Sequence, residues 1–165
     1  MRLGVDVGSV RVGVAACDPA GVIATPVQTL RRGRGDLDSL VALVAEREAM
    51  EVVVGLPITL AGRHGPAAEA AQAYAGALAT RIPVPVRLVD ERLSTVGAAR
   101  DLRSSGVGSR EGRSVIDQAA AVIILQGALD AERLSGTAPG RLVNDVPAGR
   151  DRPAGDTPDD GRGAR

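Results

Sequence analysis

The chain has 165 residues, 44% of them hydrophobic, enough for one domain with a real core, and that core is aliphatic: no Trp, no Phe and one Tyr. Its 20 acidic and 20 basic residues cancel, which excludes a generally basic nucleic-acid coat, and every basic side chain is an arginine. One cysteine cannot form an internal disulfide, no apolar run approaches the roughly 18 residues of a membrane helix, and Asp6 and Arg11 interrupt any signal-peptide core, so the reading is a soluble cytoplasmic domain.

Two β-branched runs, Leu3 to Val7 and Val10 to Ala16, flank Gly8-Ser9 and read as strand, tight turn, strand. Asp18-Pro19-Ala20-Gly21 has the residue order of a type I turn, and a third strand over Val22 to Leu30 pairs back as a meander. Arg31 to Gly35 is a polar break. Leu37, Leu40, Val41 and Val44 then recur at helical spacing behind Asp36 as N-cap. Glu51 to Gly55 reads as a short buried strand, which Pro57 ends. A loop over residues 57 to 65 carries His64, read as exposed. Pro66 opens a helix whose stripe is Ala71, Tyr74, Ala75, Leu78 and Ile82. Val84 to Val89 is the next strand. Ser94 or Thr95 caps a helix to about residue 104, and residues 104 to 113 form an arginine-bearing loop. Ser114 to Leu134 is the last helix, and its stretch Ala119 to Leu125 is apolar on every side, so it is expected to be central.

Three meander strands followed by alternating helices and strands imply crossover connections and locally parallel pairing. The expected fold is therefore α/β and ribonuclease H-like: a mixed five-stranded sheet, its first strand central, flanked by helices. Residues 1–137 form this domain. Residues 138–165 are rich in Gly, Pro, Asp and Arg and read as a disordered tail.

Asp6 is a carboxylate inside a strand that is otherwise apolar, and a buried charge is costly unless paired or metal-bound. Glu91 follows the last strand of the pattern, and Asp117 falls in the first turn of the last helix. Open parallel sheets build their sites at the strands' C-terminal ends. Three acids there would hold one or two hard cations, Mg²⁺ or Mn²⁺, for phosphodiester hydrolysis, a chemistry that needs no His, Cys or Lys. Each acid has a plainer reading. Asp117 could complement a helix dipole, Asp6 could pair with Arg11, and Asp90 and Glu91 could be a solvated strand end. Strand alternation lets only one of Asp90 and Glu91 face the site.

Four blocks carry a resemblance: Gly4-Val-Asp6-Val-Gly8-Ser-Val-Arg11-Val-Gly13-Val-Ala15, Val54-Gly55-Leu56-Pro57, Asp90-Glu91-Arg92-Leu93-Ser94-Thr95, and Asp117-Gln-Ala119-Ala120 through Leu125. In this order they resemble the signature blocks of the YqgF/RuvX family, Holliday-junction resolvases also described as pre-16S rRNA nucleases. The resemblance spans about residues 2 to 134. It implies a ribonuclease H-like, metal-dependent endonuclease in a bacterial cytoplasm, maturing the 5′ end of small-subunit rRNA. It places the catalytic, metal-binding acids at Asp6, Glu91 and Asp117. Arg32 to Gly35 and the tail after Gly136 match nothing in it. The loop before Asp117 keeps positive charge as Arg110 and Arg113, without Lys.

Arg11, Arg92, Arg110 and Arg113 are the candidate nucleic-acid contacts, with Arg100 and Arg103 as readily a solvated helix face. With one aromatic residue, recognition is expected through backbone and shape, in structured RNA such as pre-rRNA or in branched DNA. A two-fold symmetric junction would call for a homodimer, although no heptad or apolar stripe identifies a dimer face. The Asp6 to Ala15 block also resembles the first phosphate loop of actin-like ATPases and sugar kinases, which need a second such domain that this length does not accommodate. A non-catalytic nucleic-acid or ribosome-assembly binder is the remaining rival.

Overall fold

The computed structural model describes residues 1–59, 61–93 and 110–143, without the side chains of residues 93 and 110–115. The helix expected to run from Ser94 or Thr95 to about residue 104, with its Arg100 and Arg103, lies outside the described residues.

Strands β1 (Arg2–Val7), β2 (Arg11–Cys17) and β3 (Ala24–Arg31) form the expected antiparallel meander. Its first turn closes as Gly8 N–H donates to the Arg11 carbonyl at 2.8 Å. Its second is the Asp18–Gly21 turn, closed at 3.0 Å, and the Asp18 carboxylate accepts from the Val22 and Ile23 amides. Helix α1 (Asp36–Glu46) follows. Asp36 is its first residue rather than its cap, and Gly35 holds the capping position.

Strand β4 (Glu51–Leu56) then pairs parallel to β1, and α2 (Pro66–Ala79) leads to β5 (Val86–Asp90), parallel to β4. A 3₁₀ turn at Glu91–Leu93 ends that strand, and α3 (Arg110–Ser135) is the last helix. The sheet order is β3-β2-β1-β4-β5-β6, with β1 inside it as the sequence implies.

Two boundaries differ from expectation. The sheet has six strands rather than five, because β6 (Arg141–Leu142) pairs antiparallel with Arg87 and Leu88 of β5. These residues were expected in the tail. Gly140 makes the pairing reachable: it sits at φ 77°, and a Cβ there would fall 2.1 Å from the Leu88 carbonyl oxygen. Residues 144–165 lie outside the described residues. Helix α3 begins at Arg110 rather than Ser114, so residues 110–113 are helical and not part of a loop.

The two faces of the sheet are packed differently because strand side chains alternate. Leu3, Val5, Val12, Val14, Val52 and Val54 pack under α1 and α2, against Leu40 and Leu78 among others. Ala15, Cys17, Val53 and Val89 pack under Ala120, Ala121, Ile124 and Leu125 of α3. The stretch Ala119 to Leu125 is not buried all round: Ala119 is exposed, and Val122 and Ile123 are half-buried. Ala120, Ala121, Ile124 and Leu125 face the sheet, and Val122 and Ile123 lie to the side, partly buried against that layer. No helix among the described residues is long and apolar enough to cross a membrane.

Candidate active site

Side chains at positions 4 and 6 of β1 point toward α3, because Leu3, Val5 and Val7 fill the other core layer. Asp6 is therefore on the α3 face, and it is 1% exposed. Its antiparallel partner is Gly13, and directly opposed residues share a face. Glycine is required there by close approach: a Cβ at Gly13 would lie 2.0 Å from the backbone oxygen of Asp117. Helix α3 thus crosses β2 at the residue paired with Asp6. That crossing brings Asp117, 8% exposed, beside it.

Asp117 sits about two turns into α3, since the helix starts at Arg110. Helix-dipole effects fade within the first turn, so complementing the dipole does not account for this carboxylate. The guanidinium of Arg11, on the rim of the same face, stands 3.7 Å from it.

Glu91 approaches from the other side. Gly55 on β4 lies under α3, where a Cβ would meet Ile124 at 2.5 Å and the Glu91 carboxylate oxygen at 2.7 Å. Glu91 is 6% exposed. Its neighbour Asp90 projects to the opposite side, as strand alternation requires, and binds Arg92 Nη2 at 2.6 Å. Those Arg92 hydrogen bonds hold the Asp90 carboxyl below the ordinary carboxylate range. The choice left open by the sequence falls to Glu91 by placement.

The three acids expected from the sequence are thus all buried on the α3 face, at the C-terminal ends of β1 and β5 and over the glycines of β2 and β4. As placed, no group of three or more His, Cys, Asp or Glu side chains among the described residues is drawn together tightly enough to hold a metal ion. In kind, the donor set fits a hard cation: the three buried groups are carboxylates, acceptor-only when ionised, with no imidazole or thiolate among them.

The candidate nucleic-acid contacts are only partly brought together. Arg11 is beside Asp117. Arg92 is exposed but engaged by Asp90. Arg110 and Arg113 lie on the first turn of α3, their side chains outside the described ones. His64 is exposed, as expected, with its Nδ1 3.0 Å from Gln72. Sequence reading passed over Thr29 and Arg31. The register places them opposite Gly13 and Arg11, on the same face as Asp6. Counting pairs outward from the Asp18–Gly21 turn would not find them, because the register shifts by one residue between Val14 and Ala15.

Residues 1–131 match the RuvX family, described as Holliday junction resolvase. A protein of Thermobifida fusca is 56% identical over 155 residues, covering 89% of this chain and 98% of its own. One of Streptomyces avermitilis is 59% identical over 150 residues, covering 88% and 95%. Both carry the name "Putative pre-16S rRNA nuclease". Among solved structures, Thermus thermophilus RuvC in complex with a Holliday junction substrate superposes with a TM-score of 0.57 at 16% identity, covering 85% of this chain and 98% of that one. A likeness at that identity speaks for the fold, which is ribonuclease H-like. With residues 1–131 matched and relatives more than half identical along nearly their whole length, this chain belongs to the RuvX family of nucleases.

Proposed function

We propose that this nuclease is a metal-dependent endonuclease acting on structured nucleic acid in the cytoplasm, with precursor 16S rRNA as its working substrate and maturation of the 5′ end as its task. The observation that carries the catalytic part is the burial of Asp6, Glu91 and Asp117 on one face of the sheet. Three buried carboxylates so placed concentrate negative charge that a divalent cation would offset. The rRNA assignment rests on the name carried by relatives more than half identical to this chain.

Asp6, Glu91 and Asp117 would hold one or two Mg²⁺ or Mn²⁺ ions, which supply Lewis-acid activation of water and stabilisation of the leaving oxygen in phosphodiester hydrolysis. The chain's own contribution is positional. Asp6 is fixed by the strand ladder, Asp117 by the contact of α3 with Gly13, and Glu91 by its seat over Gly55. Helix α3 keeps bulk water from the carboxylates. Arg11, Arg92, Arg110 and Arg113 orient the substrate through its phosphates. Tyr74, the one aromatic side chain, is 4% exposed under Arg32, so the described residues offer no stacking platform for bases. Recognition through backbone and shape follows.

Branched DNA is the second reading, favoured by the family's description as Holliday junction resolvase; a two-fold junction would then recruit two copies of the chain. The test is cleavage by purified full-length protein of a precursor 16S rRNA fragment and a synthetic four-way junction, with Mg²⁺, with Mn²⁺ and with EDTA. The expected result is metal-dependent cutting of the precursor. Cutting of the junction alone transfers the assignment to branched DNA. Binding of either substrate with no cutting under any metal leaves a non-catalytic binding protein.

A further inference from the structure

The segment Arg31-Arg32-Gly33-Arg34-Gly35 joins β3 to α1, and the fold holds it on the side of the sheet that carries the acids. The register sets Val12 against Leu30, both in the α1/α2 core layer, and Arg11 against Arg31. Arg31 therefore shares the α3 face with Arg11, at the same edge as Asp6. Like charges directly opposed across antiparallel strands are destabilising. Arg11 has Asp117 as a counter-charge at 3.7 Å. Arg31 is exposed, and among the described residues its side chain makes no ion pair or hydrogen bond.

Arg32, by contrast, is used up by the fold. Its backbone N–H donates to the Val10 carbonyl at 2.8 Å, and its guanidinium donates to the Gly8 carbonyl at 3.1 Å. The same guanidinium stands 3.4 Å from the buried Asp36 carboxylate and 4.9 Å over the Tyr74 ring. This rivets the segment to the turn that follows Asp6. Gly33 and Gly35, at φ 132° and 89°, then bend the chain so that Arg34 is exposed. One arginine of three is spent on fixing the segment and two are presented. A merely solvated loop needs no such fixing.

We infer that Arg31–Gly35 is a clamp for the sugar–phosphate backbone of the nucleic-acid substrate, with Arg31 its principal contact and Arg34 its second. The inference rests on the nuclease reading and extends it to how the strand is seated. A phosphodiester between Arg11 and Arg31 relieves their repulsion and accepts hydrogen bonds from both guanidiniums. It lays the strand over the β2–β3 side of the site, leading to Asp6. The chemistry recognised is the phosphate, common to RNA and DNA.

The test is equilibrium binding of fluorescent duplex RNA and duplex DNA of one sequence, by anisotropy, in metal-free buffer from low to moderate salt. The proteins are full-length wild type, Arg31→Ala, Arg31→Lys, the double variant Arg31→Ala/Arg34→Ala, and Arg133→Ala. Arg133 is exposed at the far end of α3, paired with Asp130, and serves as control. Loss of one phosphate contact lowers the log–log salt slope on DNA by about 0.9 and weakens binding roughly three- to ten-fold near 0.1 M salt. Arg31→Ala is expected to do this, the double variant to do it about twice over, and Arg31→Lys, which keeps the charge, to retain the wild-type slope. A response on one duplex only supports the clamp and names its nucleic acid. An unchanged slope in Arg31→Ala, an equal fall in Arg133→Ala, or a wild type that binds neither duplex overturns it. Because no metal is present, the clamp can stand while cleavage fails, or fall while cleavage stands.

Discussion

Two adjacent acids at the end of β5 are given different tasks by the two-residue period of a strand. Asp90 turns outward to Arg92, and Glu91 turns under α3 against Gly55. Replacing Glu91 with Gln is expected to slow cleavage on the order of a hundred-fold, the scale of removing one fixed electrostatic stabiliser. Asp90→Asn leaves the α3 face intact and is expected to slow cleavage only a few-fold, through its loosened hold on Arg92. Its effect on stability is a small, salt-screened term. Arg92 lowers the Asp90 carboxyl below its unfolded value, so that term is present above the ordinary Asp range and lost as the pH falls through the lowered value. Urea titrations of wild type and Asp90→Asn therefore converge in acid and separate slightly near neutral pH. Equal loss of cleavage in both variants would contradict the placement.

Helix α3 is seated by the absence of side chains beneath it. A Cβ at Gly4 would meet Leu125 at 2.6 Å, and one at Gly13 would meet the Asp117 backbone at 2.0 Å. The far end of the same helix is tied down: Arg2 binds Glu132 and Glu51, and Glu51 also accepts from Arg87 Nε at 2.7 Å. With that end held, pressure at Gly13 lifts the end that carries Asp117. Gly13→Ala is expected to cost about 1–3 kcal/mol of stability through overpacking and to lose cleavage as well. Gly76 of α2 is the contrast, with nothing within 4 Å of an added Cβ. Gly76→Ala is expected to gain about 0.5–1 kcal/mol with cleavage unchanged. Chemical denaturation and a cleavage rate on each variant check both. Full cleavage in Gly13→Ala would separate α3 from the site.

At the scale of the molecule, the sheet carries acids at one end of the α3 face and the Arg2–Glu51–Arg87–Glu132 ion network at the other. Much of this was legible in the chain. A lone Asp in an apolar strand marks the candidate site in the sequence, and the meander follows from two turns of ordinary chemistry. Other parts were not. β6 is two residues long and flanked by turn formers, so it has no periodicity to read, and its pairing exists only once β5 is in place. The start of α3 was hidden by Gly and Ser residues that locally favour a loop. The seating of Asp117 on Gly13 depends on a helix-to-sheet contact that no local pattern encodes. Arg32 reads as one more surface charge until Tyr74, Asp36 and Gly8 are brought around it. The central claim is that the buried carboxylates form a metal-dependent hydrolytic site, and Asp6→Asn tests it most directly. The measurement is single-turnover cleavage of a precursor 16S rRNA fragment in Mg²⁺ or Mn²⁺, with binding of the same fragment followed in parallel. The account predicts binding kept and cleavage abolished; an Asp6→Asn protein that cuts as fast as wild type would contradict it.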